Sequence, residues 1–227
     1  MEKAKAPRLA YILIFMTLIS GSCAPAYVPN VINTPLLSNK GEIQASLHGG
    51  ISGVDPQLSY AVTDNVGLIL NGSFADNTSD SSNNFHKHNF IEIGTGYYTK
   101  IGNKGRFETF GGFGSGKLQA EYENDLWTSR ADVISSRFFL QPAIGITTSI
   151  LDASFTSRLV LINLSQGTEK STGVFAEPAL TGKLGFRYVK AVIQLGLSIP
   201  LQENIDFNYQ PFMFSVGLQA NFNKIFD

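Results

Sequence analysis

The feature that most constrains the fold is a strict two-residue alternation between residues 88 and 117. In its first arm an apolar side alternates with a side of small or polar residues, which is the spacing of a β-strand and not of a helix. The apolar side holds Ile91, Ile93, Thr95, Tyr97 and Ile101, and the other side holds Glu92, Gly94, Gly96, Tyr98 and Lys100. Residues 107–117 repeat the pattern. Because Gly and Asn favour tight turns, we expect a β-hairpin whose turn spans Gly102 to Arg106 and brings Ile101 opposite Phe107.

The second face of this hairpin predicts the inside of a narrow barrel. It carries Gly, Ser, Thr and few charges, whereas the exposed face of a soluble strand usually carries Lys and Glu. Only 15% of the 227 residues are charged, against roughly a quarter in ordinary globular chains. A soluble, lipid-carrying barrel with the apolar face inside is the alternative, but its outer face would then lack charge. The formal net charge of -1 argues against a nucleic-acid partner.

The same alternation recurs along residues 41–227 and predicts about ten strands, with eight as the alternative. Short turns are predicted at Thr63–Asn65, Ser149–Ile150 and Val189–Lys190, and long polar connections at 75–88, 122–136, 165–173 and 202–210. Short and long connections that alternate are typical of an up-and-down transmembrane barrel, with turns at one end and loops at the other. The predicted fold is therefore an all-β, antiparallel, up-and-down transmembrane β-barrel, with both termini at the turn end.

The N-terminus has the pattern of an export signal. Lys3, Lys5 and Arg8 precede an apolar run that is too short to span a bilayer as a helix, so residues 1–22 are predicted to be a signal peptide. The run ends at Cys23, whose surroundings resemble the lipobox of bacterial lipoproteins, in which the cysteine is acylated. Cleavage after Ala26 is the alternative. Residues 23–40 lack a sustained period and are predicted to be a periplasmic tether or an N-terminal plug.

Eight charged residues are predicted to line the lumen. They are Glu92, Lys100, Glu108, Asp152, Arg158, Glu177, Lys183 and Arg187. Equal numbers of acids and bases suggest pairing, because unpaired charges in so narrow a space would cost several kcal/mol each. Two functions follow from this lumen. A filled polar core that closes the barrel is the first, and a narrow, gated pore for ions or small molecules is the second.

Three patterns resemble chemical sites, and each has a simpler structural explanation. Residues 111–117 match most of a phosphate-binding loop, but Leu118 replaces the Ser or Thr that would hold magnesium, and no helix is predicted to follow. His86 and His88 lack a nearby third metal ligand, and His48 has no recognisable Ser or Asp partner. We therefore expect no enzyme activity, no metal and no cofactor.

Aromatic residues in the polar connections are candidate contacts to an external ligand or surface partner. They are Phe85, Trp127, Phe207 and Tyr209. Exposed aromatic side chains in loops are often used for binding, although membrane-edge anchoring would use the same residues.

Residues 41–227 resemble the small OmpA-like outer-membrane barrels, and the opening Cys23 to Asn30 resembles exported barrel lipoproteins of Bacteroidetes-type bacteria. The resemblance implies location in the bacterial outer membrane, with a periplasmic N-terminus and with membrane lipid as surroundings. It also implies recognition of an aromatic C-terminal strand, here with Phe222 and Phe226, by the barrel-assembly machinery. The implied role is a non-enzymatic structural or surface-contact barrel, and the alternative is a pore, a transporter or a lipid-interacting barrel.

Overall fold

The computed structural model describes residues 25–78, 84–123 and 128–226, and in these residues the chain forms one closed antiparallel sheet. The strands are β1 Ile43–Gly50, β2 Gly53–Ala61, β3 Val66–Thr78, β4 Phe85–Ile101, β5 Gly105–Glu123, β6 Thr128–Thr147, β7 Leu151–Gln166, β8 Glu169–Gly185, β9 Val189–Leu197, β10 Ile199–Pro200 and β11 Phe212–Phe222. The two residues of β10 continue β9 along β8 in the same register, so the barrel wall has ten strands.

Each strand pairs with its neighbour in the chain, and the pairing of β1 with β11 closes the ring. This confirms the predicted all-β, antiparallel, up-and-down barrel of ten strands. Closure leaves no strand with an unpaired edge, which is the requirement for a sheet in an apolar medium. No helix in the described part of the chain is both long enough and apolar enough to cross a membrane.

The connections between strands distinguish a turn end of the barrel from a loop end. At the turn end the connections 62–65, 102–104, 148–150 and 186–188 are tight, with the Val62 N–H donating to the Val66 carbonyl at 2.8 Å and the Thr148 N–H donating to the Leu151 carbonyl at 3.0 Å. The other connections, which include 201–211, lie at the loop end. β1 starts at the turn end, and the segment after β11 ends there.

Two turns lie at positions other than those predicted. A buried cation follows each of them along the chain. The central turn is shorter than expected, since Ile101 pairs with Gly105 and not with Phe107. With this register Arg106 points inward, and its Nε donates to Ser38 Oγ at 3.1 Å. The turn predicted at Val189–Lys190 lies at residues 186–188, and Lys190 is fully buried.

An apolar belt surrounds the part of the barrel next to the turn end. Large apolar side chains point outward on all ten wall strands, for example Ile93 and Leu218, which are 61% and 62% exposed. On β7 the belt runs from Leu151 to Leu161. Eleven residues of a strand tilted by ~40° rise about 27 Å, close to the ~25 Å apolar band of outer-membrane barrels.

Beyond the belt, at the loop end, the pattern inverts. Leu118 and Val133 turn inward, while Lys117 and Asp132 turn outward and form an ion pair at 3.4 Å. The strands therefore extend well past the belt, and much of what was predicted as the long connections 75–88, 122–136 and 165–173 is strand. An alternation that is apolar inside and polar outside is that of a water-exposed barrel wall.

Candidate functional site: the plugged lumen

The lumen is filled by the plug, defined here as residues 27–38. Apart from the half-buried Val28, all of its residues are buried, with Leu36 and Leu37 at 0% exposure. Pro29 and Pro35 keep the plug extended, and they carry no N–H group that would need a partner inside the barrel. At Gly41, whose φ of +80° suits glycine, the chain reverses from the plug toward β1.

The wall satisfies the backbone of the plug, carbonyl by carbonyl. The seven consecutive carbonyls of residues 30–36 each accept a hydrogen bond from a different side chain at 2.6–3.4 Å. In order, the donors are Arg158, Gln57, Gln194, Gln141, Lys183, Gln44 and Lys224. Gln194 also accepts from the Ile32 N–H at 2.8 Å, so one side chain pairs with both backbone groups of a residue. An unpaired buried carbonyl would cost about 1–3 kcal/mol.

Two buried ion pairs cross the middle of the lumen and hold Asn30 between them. Arg137 Nε donates to Glu92 Oε2 at 2.6 Å, and Arg158 Nε donates to Glu177 Oε2 at 2.8 Å. Asn30 joins the pairs, because its amide donates to Glu92 at 3.1 Å and accepts from Arg158 at 3.0 Å. Two guanidinium groups balance two carboxylates here, and all four side chains have at most 2% exposure. Such a network is stable only while each of its members is present.

A second group of charges closes the turn end. Lys190 Nζ lies 2.7 Å from Asp152 Oδ1, and Lys224 Nζ lies 3.3 Å from Glu42 Oε1. The plug ends in this group, since the Ser38 N–H donates to Glu42 at 2.7 Å. Glu108 is buried nearby, but no side chain in the described residues donates a hydrogen bond to it.

Aromatic and aliphatic side chains close the loop end. The Tyr27 hydroxyl donates to Glu177, and the Tyr27 ring packs on Phe175 with 4.9 Å between ring centroids. Phe207 and Tyr209 also pack against Phe175, at 6.2 and 5.2 Å. Ala26, Val28, Ile205 and Tyr122 pack against this cluster. The inverted strand ends thus enclose a small hydrophobic core above the charged middle of the lumen.

The structure places six of the eight predicted lumen charges inside the barrel. They are Glu92, Glu108, Asp152, Arg158, Glu177 and Lys183. Lys100 and Arg187 are exposed, which corrects their predicted position in the lumen. Lys100 lies at the end of β4, beyond the enclosed part of the lumen. Arg187 lies in the turn before β9, with its guanidinium 5.7 Å from the Tyr188 ring.

Among the described residues, sequence reasoning missed six buried charges, which are Glu42, Asp55, Arg106, Arg137, Lys190 and Lys224. Two of them had a readable signal. Arg137 lies four residues before Gln141, and Lys190 lies four residues before Gln194, on the same face of the strand in each case. Continuing the two-residue period by two more steps from either glutamine would have found them.

The predicted external contacts divide into three groups. Phe207 and Tyr209 are half-buried and pack inward against Phe175, not outward toward a partner. Phe85 is half-buried at the start of β4. Trp127 lies outside the described residues, as do the predicted signal peptide 1–22 and Cys23.

Ser73, His88 and His86 form a hydrogen-bonded chain near the loop end. Ser73 Oγ lies 3.0 Å from His88 Nε2, and His88 Nδ1 lies 2.9 Å from His86 Nε2. The arrangement resembles a nucleophile beside a base, but Ser73 is only 2% exposed. The cavity beside it has a volume of about 20 Å³, which is room for one water and not for an ester.

The other patterns with a chemical appearance also have structural roles. Residues 111–117 lie within β5 and form neither a loop nor the start of a helix. His48 is buried on β1 and shares a hydrogen bond with Ser46 at 3.2 Å. Within the described ranges, no group of three or more His, Cys, Asp or Glu side chains could hold a metal ion.

A groove of about 620 Å³ lies on the outer face of the barrel and not in the lumen. It crosses Ala153 and Gly182, which are paired across β7 and β8, and its rim includes Phe155 and Leu195. The small residues make the belt concave here, and the groove is lined almost entirely by apolar atoms.

Comparison with known proteins adds little to this geometry. No protein-family model matches the chain, and no curated protein matches it. Among solved structures, the chain is similar to the N-terminal β-barrel domain of Pseudomonas aeruginosa OprF, with 14% sequence identity and a TM-score of 0.34. The match covers 82% of this chain and 98% of the OprF domain.

Proposed function

We propose that this chain is an integral β-barrel of the bacterial outer membrane, closed along its length by its own N-terminal segment. Its role is structural or surface-contact, and it is neither an enzyme nor an open pore. Outer-membrane lipid surrounds the belt, and the barrel-assembly machinery inserts the protein.

The observation that carries this proposal is the distribution of polarity across one wall. Large apolar side chains are about half exposed on the outside, whereas Glu92, Arg158 and Asp152 have at most 1% exposure inside. In water, the belt would leave a large apolar surface unburied on every wall strand. In a bilayer the same surface is solvated by lipid, and the closed sheet gives every wall strand a neighbour on both sides.

The filled lumen supports the second part of the proposal. The plug runs along the lumen, and the turn-end charges, the two central ion pairs and the loop-end core surround it at successive levels. Ion flow would require the plug to leave, which would break the seven carbonyl hydrogen bonds. The enclosed position of Ser73 likewise supports a role without catalysis.

Cell fractionation combined with gel mobility before and after heating tests the proposal. A closed barrel resists detergent unfolding until it is boiled, so we expect the protein in the outer-membrane fraction as a band whose mobility changes on boiling. A protein recovered in soluble periplasm, with the same mobility heated and unheated, would overturn the proposal.

A further inference from the structure

The plug has a direction, and this direction determines where the N-terminus emerges. At one end, the Ala26 N–H donates to the Asn208 carbonyl at 2.8 Å, and Tyr27 forms a parallel bridge with Tyr209. Both partners belong to the connection 201–211, at the loop end. At the other end, the Lys40 N–H donates to Asp64, in the β2–β3 turn, at 3.1 Å. The plug therefore runs from the loop end to the turn end.

This direction corrects the expectation that both termini lie at the turn end. β1 does begin there, but the chain reaches β1 by passing through the lumen. Nine steps of chain, from residue 27 to Leu36, where φ is +51°, span about 28–30 Å at ~3.1–3.3 Å per residue, which is sufficient to cross the belt. Pro25 and Ala26 consequently lie on the opposite side of the belt from the start of β1.

The lumen has no room for the chain to return. Every residue of the plug except Val28 is buried, Leu37 shares a hydrophobic cluster with Phe110 and Phe139, and each carbonyl of residues 30–36 already has a side-chain partner. The chain therefore enters the lumen at the loop end, where Pro25 and Ala26 lie.

We infer that the N-terminus of the mature chain is displayed on the external side of the outer membrane. The inference rests on the proposed function, because outer-membrane barrels place their short turns in the periplasm and their loops outside. It replaces the periplasmic N-terminus that the family resemblance implied. It also assigns any acyl group on Cys23 to the outer leaflet, and it makes the barrel a carrier that holds its own N-terminal segment outward.

The N-terminal segment takes its position in the lumen while the barrel assembles, and not after the barrel has closed. Pulling the plug out of a closed barrel would break its seven carbonyl hydrogen bonds and the contacts of Asn30 with two buried ion pairs. The wall therefore closes around the plug, when β11 pairs with β1.

An epitope tag placed at three positions of the full chain tests the inference on cells. One tag lies between Ala24 and Pro25, a second between Gly167 and Thr168 at the loop end, and a third between Asn103 and Lys104 at the turn end. We expect a membrane-impermeant antibody to label the first two tags equally before and after permeabilisation, and the third only afterwards.

The outcomes separate the two proposals. If all three variants fractionate with the outer membrane and the tag before Pro25 behaves like the turn-end tag, the inference fails and the proposed function stands. If the first two tags are both labelled only after permeabilisation, the loop end faces the periplasm, and the inference of an external N-terminus also fails. Loss of outer-membrane fractionation by the untagged protein overturns the proposed function itself.

A disulfide provides a second test that needs no insertion. Ala26→Cys with Asn208→Cys should crosslink across the hydrogen-bonded contact and change the non-reducing gel mobility of the folded protein. Ala26→Cys with Lys104→Cys is the matched control, and it should not crosslink. Crosslinking of the control pair alone would contradict the direction of the plug.

Discussion

At the scale of single residues, the buried carboxylates of this barrel differ in how many side-chain hydrogen bonds they accept. Glu92 accepts hydrogen bonds from Arg137 and Arg158 and from the amides of Asn30 and Asn71. Glu108 is equally buried but receives no side-chain hydrogen bond in the described part of the chain. The same residue type thus occupies two different electrostatic positions in one lumen.

Replacing each glutamate by glutamine exploits this contrast. Glu92→Gln leaves two buried guanidinium groups short of a carboxylate, and we expect it to lower the free energy of unfolding by about 3–5 kcal/mol. Glu108→Gln removes a buried charge that no side chain bonds, so it should change stability far less. The measurement is urea unfolding in detergent, followed by gel mobility without heating. Equal losses for the two variants would refute the central network as a source of stability.

The glycines of β5 make a second residue-scale prediction. A Cβ added at Gly112 would meet the Ile93 carbonyl oxygen at 2.2 Å, whereas the nearest atom to one added at Gly111 would lie 3.6 Å away. We expect Gly112→Ala to destabilise the barrel by about 1–3 kcal/mol. Gly111→Ala, the adjacent control, should be neutral or slightly stabilising because alanine loses less entropy on folding. The same unfolding assay distinguishes them, and an equal effect would contradict the crowding.

At the scale of elements, the plug is an extended segment that no wall strand pairs with. Side-chain amides replace the backbone groups that a neighbouring strand would supply. Gln194 is the clearest case, since it pairs with both the N–H and the carbonyl of Ile32 at 2.8 and 2.9 Å.

Removing this amide should therefore cost more than removing one from the surface. We expect Gln194→Ala to destabilise the folded barrel by about 1–3 kcal/mol, because two buried backbone groups lose their partner. Gln119→Ala removes an amide that donates to Asp132 on the outer face at 3.2 Å, and its effect should be small. If Gln194→Ala unfolds at the same urea concentration as the wild type, the wall does not hold the plug as described.

The elements also show how far the sequence could predict the fold. Within the belt, alternation alone was sufficient, because the outward-facing side chains Leu151, Phe155 and Leu159 and their polar neighbours follow one period. Beyond the belt, the alternation changes sign, so strand residues such as Asp132 and Val133 on β6 were predicted to belong to the connection 122–136. A pattern search that assumes one polarity for the whole outer face misses the point where apolar outward residues give way to polar ones.

The plug was the least predictable part. Residues 27–38 have no period, because a chain surrounded on all sides has no exposed face to mark with polar residues. Gln57 and Gln141 donate to plug carbonyls only in the closed barrel. The direction of the plug through the lumen follows from contacts between residues far apart in sequence, such as Tyr27 and Tyr209, which no local pattern encodes.

At the scale of the whole molecule, a closed lumen predicts electrical silence. The purified protein in a planar bilayer should give no steady conductance, because the plug and both charged levels fill the path. Steady channels whose ion selectivity changes with Glu108→Lys would favour the gated pore over the closed barrel.

The proposed function requires that lipid contacts the belt and that the polar face of the wall lines the lumen. Phe138 and Phe139 test it directly, since they are adjacent on β6 and are 54% and 5% exposed. With Trp127→Phe as background, Phe138→Trp and Phe139→Trp each place one tryptophan on one face of the wall. In vesicles of brominated lipid, the fluorescence of Phe138→Trp should be strongly quenched and that of Phe139→Trp should not. Quenching of Phe139→Trp alone would show that the wall faces the other way.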